Sequence, residues 1–386
     1  MKKNNLILLV MLMLVITAMS MSLLTGNAQE AASAPQITAV SAILTDNSGN
    51  NVLFGHNADE QRPIASMVKI MTLNIVFDEI EAGSLSYNEQ ITASENASSM
   101  GGSQAFLDAH STYNAGELIK SVIVASANDS CVALAERISF SVEAFVARMN
   151  GKAAELGMKN TNFVNCTGLP AVNQYSTARD VSVMFARLIK FDKFFEYSGE
   201  WMYDFQHPSG RATSLTNTNK LVRFYEGCDG GKTGFTSEAR SCLAATAVRG
   251  GSRFISVVMG AEDAKTRNAQ VCKLFDYGFA GWEIKQPVFK GIPLEQKIAA
   301  SGSREKEIAV MPAEDYTVLV KRGSKPDITI TTDIGELRAP IAAGDTVGRL
   351  SVHINGELAA SVNLISADDA HALGYNDILD EIIHTW

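Results

Sequence analysis

The sequence predicts an α/β protein of the α+β kind, in which an antiparallel sheet is flanked by helices and interrupted by a mostly helical insertion, followed by a small C-terminal all-β domain. Three observations predict it. Strand-like segments occur early, at Ile37 to Leu44 and Asn51 to Gly55, and return late, at Gly234 to Ser237, Ser241 to Val248 and Arg253 to Gly260. The two groups must pair to bury their edges. The residues between them, from about 85 to 205, read as mostly helical. Beyond Trp282 the texture becomes short strands separated by Gly, Pro and Asp turns.

Taken in order, the chain opens with Met1-Lys2-Lys3, a nearly uninterrupted apolar run from Leu6 to Leu24, and the small residues of Thr25-Gly26-Asn27-Ala28. This is the layout of a secretory signal peptide over residues 1–28, cleaved after Ala28 or a nearby alanine. The alternative is an uncleaved anchor, because the run approaches the length of a membrane span. Either way the protein is expected to be exported, to the outer face of the cytoplasmic membrane or the cell wall space. The first strand pair is joined by Asp46-Asn47-Ser48-Gly49-Asn50, a strong turn signal, and leads into Pro63. Proline disfavours helix in the residue before it, so a helix is predicted from Ala65 or Ser66 to about Glu81, ended by Ala82-Gly83-Ser84. It is apolar all round and therefore internal. Ala115 to Ser126, Ser130 to Ile138 and Val142 to Leu156 are further helices, and Thr177 with Asp180 has the spacing of a helix-capping pair. A helix from about Ala264 to Phe279 closes the unit. We assign residues 35–282 to a catalytic domain and 283–370 to the β-rich domain, which includes strands at Thr317 to Lys321, Ile328 to Thr332 and Leu350 to Ile354. Residues 371–386 place Tyr375, Ile378, Leu379, Ile382, Ile383 and Trp386 on one helical face. That face fits either a membrane surface or the protein's own domain, and no Lys or Arg lies on the polar side to favour anionic lipid.

Composition narrows the chemistry. The chain has 386 residues, 46% hydrophobic, with a formal net charge of -9 and no long basic run, which argues against nucleic acid as a partner. The six histidines are scattered, and neither His-Glu-x-x-His nor Cys-x-x-Cys occurs, so no metal and no other cofactor is expected. The five cysteines, an odd number at wide spacing, read as buried thiols, with one bridged pair left open.

The predicted helix at Ser66 carries a serine and a lysine three residues apart, so the Ser66 hydroxyl and Lys69 amine project from one face of its first turn. A serine needs a base to become a nucleophile, and a lysine with a reference pKa of ~10.4 needs burial or a second cation to become that base. Ser-x-x-Lys alone also occurs as a solvated helical pair. Two later motifs strengthen the catalytic reading. Ser126-Ala127-Asn128 sets a hydroxyl and an amide two residues apart on a turn between helices, and Gly230-Gly231-Lys232-Thr233-Gly234 opens a strand with glycines that permit close approach of a ligand. Singly, these read as a helix stop and an ordinary hairpin. Together and in this order they form a known catalytic trio.

On these motifs the chain resembles the serine D-alanyl-D-alanine carboxypeptidases, low-molecular-mass penicillin-binding proteins of peptidase family S11. The likeness extends over Gly101-Gly102-Ser103, Asn128 to Ala133, Asn173 to Asp180 and Asp229 to Gly234, and to the β-rich tail and terminal helix. It implies a β-lactamase/transpeptidase-like fold and removal of the terminal D-alanine from peptidoglycan pentapeptide stems, with β-lactam antibiotics as covalent inhibitors. The resemblance implies Ser66 as nucleophile, Lys69 as base, and Ser126 with Lys232 as the proton relay, Lys232 also keeping Lys69 neutral by repulsion. It implies an oxyanion hole from the amides of Ser66 and Phe235, at the end of the run Thr233-Gly234-Phe235. Asn128 would bind the substrate amide, and Thr233 and Arg267 its carboxylate. The loop Asn165-Cys166-Thr167-Gly168-Leu169 has threonine where some relatives carry histidine. A β-lactamase is the nearest rival, but residues 160–175 contain no Asp or Glu to activate a deacylating water. A non-catalytic wall-binding scaffold is the rival from another class. Endopeptidase or transpeptidase side activity is not legible.

Overall fold

The computed structural model describes residues 34–375 together with Asp377, Leu379 and Ile383. The predicted signal peptide and much of the terminal amphipathic helix lie outside the described residues.

The early strands, β1 (Ser41–Asp46) and β2 (Val52–His56), join three late ones, β3 (Cys228–Thr236), β4 (Arg240–Arg249) and β5 (Ser252–Ala261), in an antiparallel sheet ordered β2-β1-β5-β4-β3. The register runs from Ser41 opposite Met259 to Asp46 opposite Phe254, so the two ends of the unit close on each other. β1 is buried along its whole length, as a central strand covered on both faces must be. Side chains alternate between two cores. Ile43, Ala244, Ile255 and Val257 face the helical insertion, whereas Leu44, Leu243, Ala245 and Phe254 face a long closing helix, Ala264–Gly281.

The insertion supplies α1 (Lys69–Glu81), α2 (Ala115–Val124), α3 (Asn128–Ser139), α4 (Val142–Glu155) and α5 (Ala178–Leu188). Every residue of α1 from Lys69 to Phe77 is buried, which matches its apolar reading. Asn114, Ser141 and Thr177 cap α2, α4 and α5 with their side chains, Thr177 accepting from the Asp180 amide at 3.0 Å. Two features depart from the sequence expectation. The predicted helix at Ser66 begins as a tighter 3₁₀ turn, Ala65–Val68, before α1 proper. β3 starts at Cys228, ahead of both the predicted segment Gly234 to Ser237 and the glycine run read as opening a strand at Gly230, because its glycines serve tight packing and not a turn. A Cβ on Gly231 would lie 2.5 Å from Asn219 Nδ2.

Beyond the closing helix, which we label α6 (Ala264–Gly281), the chain is β-rich. Its largest sheet has four strands, in the order Val310–Pro312, Glu357–Ser366, Thr346–Ile354 and Ile328–Asp333. The first strand of this region, Trp282–Val288, is tied back by the Ile284 amide, which donates to Ser252 Oγ at 2.8 Å. Tyr375, Leu379 and Ile383 of the terminal segment are exposed.

One buried carboxylate organises the wall above α3. Asp129 is fully buried and accepts from the amides of Ala105 (3.0 Å), Leu107 (3.1 Å) and Ser130 (2.8 Å), holding the loop that follows Gly101. Leaving buried amides unpaired costs ~1–3 kcal/mol each before relaxation. Asp129→Ala should therefore lose about 3 kcal/mol in denaturant titration, with Tm falling by roughly 6–12 °C.

Candidate active site

Ser66 sits in the 3₁₀ turn, where side chains three residues apart eclipse one another, and Lys69 is the first residue of α1. Lys69 Nζ lies 3.1 Å from Ser66 Oγ. The amine also donates to Asn128 Oδ1 and to the Thr167 carbonyl oxygen, each at 2.5 Å. The orientation of the Asn128 amide is fixed by its other end, where Nδ2 donates to the Gly101 carbonyl at 2.6 Å. A neutral amine has two N–H groups and one lone pair. Two carbonyl acceptors occupy the N–H groups, which leaves the lone pair for the serine proton.

Lys69 is wholly buried, and burial pushes its pKa down to about 8, against the opposing pull of Cys131, Cys166 and Asp129. Lys232 is buried as well. Its pKa is lowered well below the ordinary lysine value, first by burial and then by repulsion from Lys69. Burial is the leading cause of the depression at both amines, and repulsion between the two adds to it at Lys232. Lys232 Nζ lies 2.8 Å from Ser126 Oγ, so a second amine–hydroxyl pair stands beside the first.

Ser126 occupies the turn between α2 and α3 at φ +64°, and Ala65, just before Ser66, sits at φ +47°. Left-handed backbone in a non-glycine residue costs of order 1 kcal/mol, and here it flanks or contains both hydroxyl-bearing positions. β3 passes against the Ser66 turn: a Cβ on Gly234 would lie 2.6 Å from the Ile64 carbonyl and 3.2 Å from the Ser66 amide. Gly168, at φ +84°, backs the same turn, and a Cβ there would collide with the Ala65 carbonyl. Glycine is required at both.

Ser66, Ser126, Thr233, Gly234, Phe235 and Arg267 line one cleft of about 780 Å³. Phe235 stands exposed at its rim, 68% accessible, and Arg267 is buried in its wall, held by Asn268 Oδ1 at 2.9 and 3.1 Å. Every sequence-nominated residue thus falls in or directly behind one pocket. Asn128 is already bonded at both ends of its amide, so it supports Lys69 as well as having the second Oδ1 lone pair to offer a ligand. Among the described residues no cluster of His, Cys, Asp and Glu fits a metal ion, and the five cysteines are free thiols.

The comparisons bear directly on this site. Residues 28–263 match the family model for D-alanyl-D-alanine carboxypeptidase, peptidase S11, and residues 282–372 match that for the C-terminal domain of penicillin-binding protein 5. This chain belongs to the S11 D-alanyl-D-alanine carboxypeptidase family. It is 36% identical over 353 residues to D-alanyl-D-alanine carboxypeptidase DacF of Bacillus subtilis, covering 90% of each chain. It is 32% identical over 332 residues to DacA of Escherichia coli K12, covering 84% of this chain and 81% of that one. Among solved structures, penicillin-binding protein 5 of Haemophilus influenzae superposes with a TM-score of 0.69 at 31% identity, over 87% of this chain and 98% of that one. The protein is a serine-type carboxypeptidase acting on D-alanyl-D-alanine in peptidoglycan.

Several contributors to the carboxypeptidase site were not legible in advance. The Thr167 carbonyl holds Lys69 through backbone, so its residue type carries no signal; the neighbouring Gly168 is the only trace. Ser103, from the Gly101-Gly102-Ser103 segment of the resemblance, also lines the cleft, as do Thr218, Lys220 and Lys265, and nothing in the local pattern of these last three marks them. Because Lys69 can take the Ser66 proton only when uncharged, kcat/KM should rise about tenfold per pH unit below 8 and level off above it. A pH–rate profile of D-alanine release that stays flat from pH 6 to 9 would contradict this.

Proposed function

We propose that the carboxypeptidase removes the terminal D-alanine from pentapeptide stems through an acyl-enzyme on Ser66, with Lys69 as general base. The observation that carries the reading is the 3.1 Å approach of a buried amine, its N–H groups already engaged, to the Ser66 hydroxyl. Ser66 attacks the carbonyl of the penultimate D-alanine as its proton moves to Lys69. The oxyanion forms beside the amides of Ser66 and Phe235, where one lost donor costs about 3–4 kcal/mol. Ser126 and Lys232 return a proton to the departing amine. Thr233 and Arg267 receive the terminal carboxylate. That incoming negative charge favours protonated Lys232, and a charged Lys232 in turn disfavours charge on Lys69. Binding therefore drives the two amines into the unequal states the chemistry needs. Water then hydrolyses the ester to a tetrapeptide stem.

Penicillin is read as an inhibitor that acylates the same serine. The N-terminal layout supports export to the outer face of the cytoplasmic membrane or the wall space, and the exposed Tyr375, Leu379 and Ile383 are consistent with surface contact there.

Intact mass after incubation with penicillin should show one adduct that Ser66→Ala abolishes; a parent protein without adduct would favour a scaffold. Lys69→Ala should reduce D-alanine release by ~10²–10⁴-fold. With no carboxylate in residues 160–175 to activate water, the adduct should be long-lived, and rapid penicillin turnover would overturn that expectation.

A further inference from the structure

The loop that presents the Thr167 carbonyl to Lys69 is held by two side-chain amides that no step above uses. Residues 163–169 belong to no helix or strand, so their backbone groups need partners of another kind. Asn165 closes the turn on itself. Its Oδ1 accepts from the amides of Gly168 (2.7 Å) and Thr167 (3.2 Å), and its Nδ2 donates to the Leu169 carbonyl at 2.9 Å. Buried Gln174 repeats the pattern. Its Oε1 accepts from the amides of Val164 (3.0 Å) and Asn165 (2.9 Å), and its Nε2 donates to the Leu169 carbonyl at 3.1 Å. Each oxygen thus faces two N–H groups and each nitrogen a carbonyl, which settles the orientation of both amides. On the other side of the loop, two consecutive carbonyls meet α1: Thr72 Oγ1 donates to that of Cys166 at 2.8 Å and Lys69 to that of Thr167. Neither Asn165 nor Gln174 lines the Ser66 cleft, and neither is a hydrogen-bond partner of Lys69.

Gly168, at φ +84°, permits the bend of this turn, but a glycine's freedom does not select one conformation. The amide pair does. The Thr167 carbonyl occupies one N–H of the neutral Lys69 amine, so a loop that let it swing away would release that N–H and leave the lone pair undirected. We propose that Asn165 and Gln174 are positioning residues for the base: by fixing the loop they aim the Thr167 carbonyl at Lys69, and through it they orient the lone pair that takes the Ser66 proton. The proposal rests on the acyl-enzyme reading above and adds no chemical step to it. Both residues act through one carbonyl, and they are bonded to each other, Gln174 Nε2 lying 3.4 Å from Asn165 Oδ1.

The test compares Asn165→Ala and Gln174→Met with Asn150→Ala, all in the full chain. Asn150 grips the same loop at Phe163 with two bonds of 2.9 Å each, so its loss shows what loosening the loop away from Thr167 does. Acylation by penicillin is followed to completion by intact mass, which gives a rate constant per reactive molecule whatever the unfolded fraction. Asn165→Ala and Gln174→Met should acylate about 10–10²-fold more slowly, the effect of a displaced catalytic group. Their kcat/KM for D-alanine release should fall in proportion. Pentapeptide binding, measured on a Ser66→Ala background, should not change. The double variant should be no slower than the slower single one, because neighbours in one network are not additive. Asn150→Ala should lower Tm and acylate at the parent rate. Parent-rate acylation by Gln174→Met, weaker pentapeptide binding that accounts for the loss, or equal slowing by Asn150→Ala would overturn the assignment. If Asn165→Ala does not fold, Gln174→Met decides. A Lys69→Ala protein that acylates at the parent rate would instead overturn the reading of Lys69 as base.

Discussion

The site depends on one buried amine. Lys69 is the largest polar side chain withdrawn completely from water on α1, and an ammonium in that position is tolerated poorly unless it is paired. Among the described residues no carboxylate pairs with it; its partners are a side-chain amide, a backbone carbonyl and the serine hydroxyl. Neutral acceptors hold a neutral amine well and a charged one less well. The surroundings therefore select the basic form, and the same contacts orient its lone pair.

Those contacts come from segments far apart in the chain, and the sheet is what brings them together. β1 and β5 join the start of the domain to its end, α1 and α3 place Lys69 and Asn128, and β3 delivers Lys232 across from Ser126. The local cost is visible in two non-glycine residues held left-handed, Ala65 and Ser126. Such conformations persist only when the surrounding packing over-determines them. Here Gly168 and Gly234 let neighbouring backbone press against the Ser66 turn from separate sides.

What could be read from the sequence follows from how each feature is encoded. Ser66 and Lys69 were legible because three-residue spacing brings side chains together in any helical turn, 3₁₀ or α. The sheet was legible because strands without partners at both ends of a helical stretch have to find each other. The hairpin Met202–Gln206 with Ala212–Thr216 was not anticipated, since its first strand falls at the end of the stretch read as helical and each strand buries only one side chain, Phe205 or Leu215. The early start of β3 was hidden for a related reason: Gly230 and Gly231 signal a turn locally, and only the packing of Phe194 and Asn219 against them explains their presence in a strand. The Thr167 carbonyl was invisible because backbone groups have no letter of their own.

The grip of the Thr167 carbonyl on Lys69 has a practical consequence. Because that acceptor belongs to a loop between α4 and α5 while Ser66 belongs to the 3₁₀ turn before α1, the arrangement around Lys69 exists only while distant parts of the domain stay docked. A covalent active-site label consequently counts molecules with intact tertiary packing, and the fraction that escapes labelling under mild denaturant would measure partial opening that spectroscopic probes of helix content overlook.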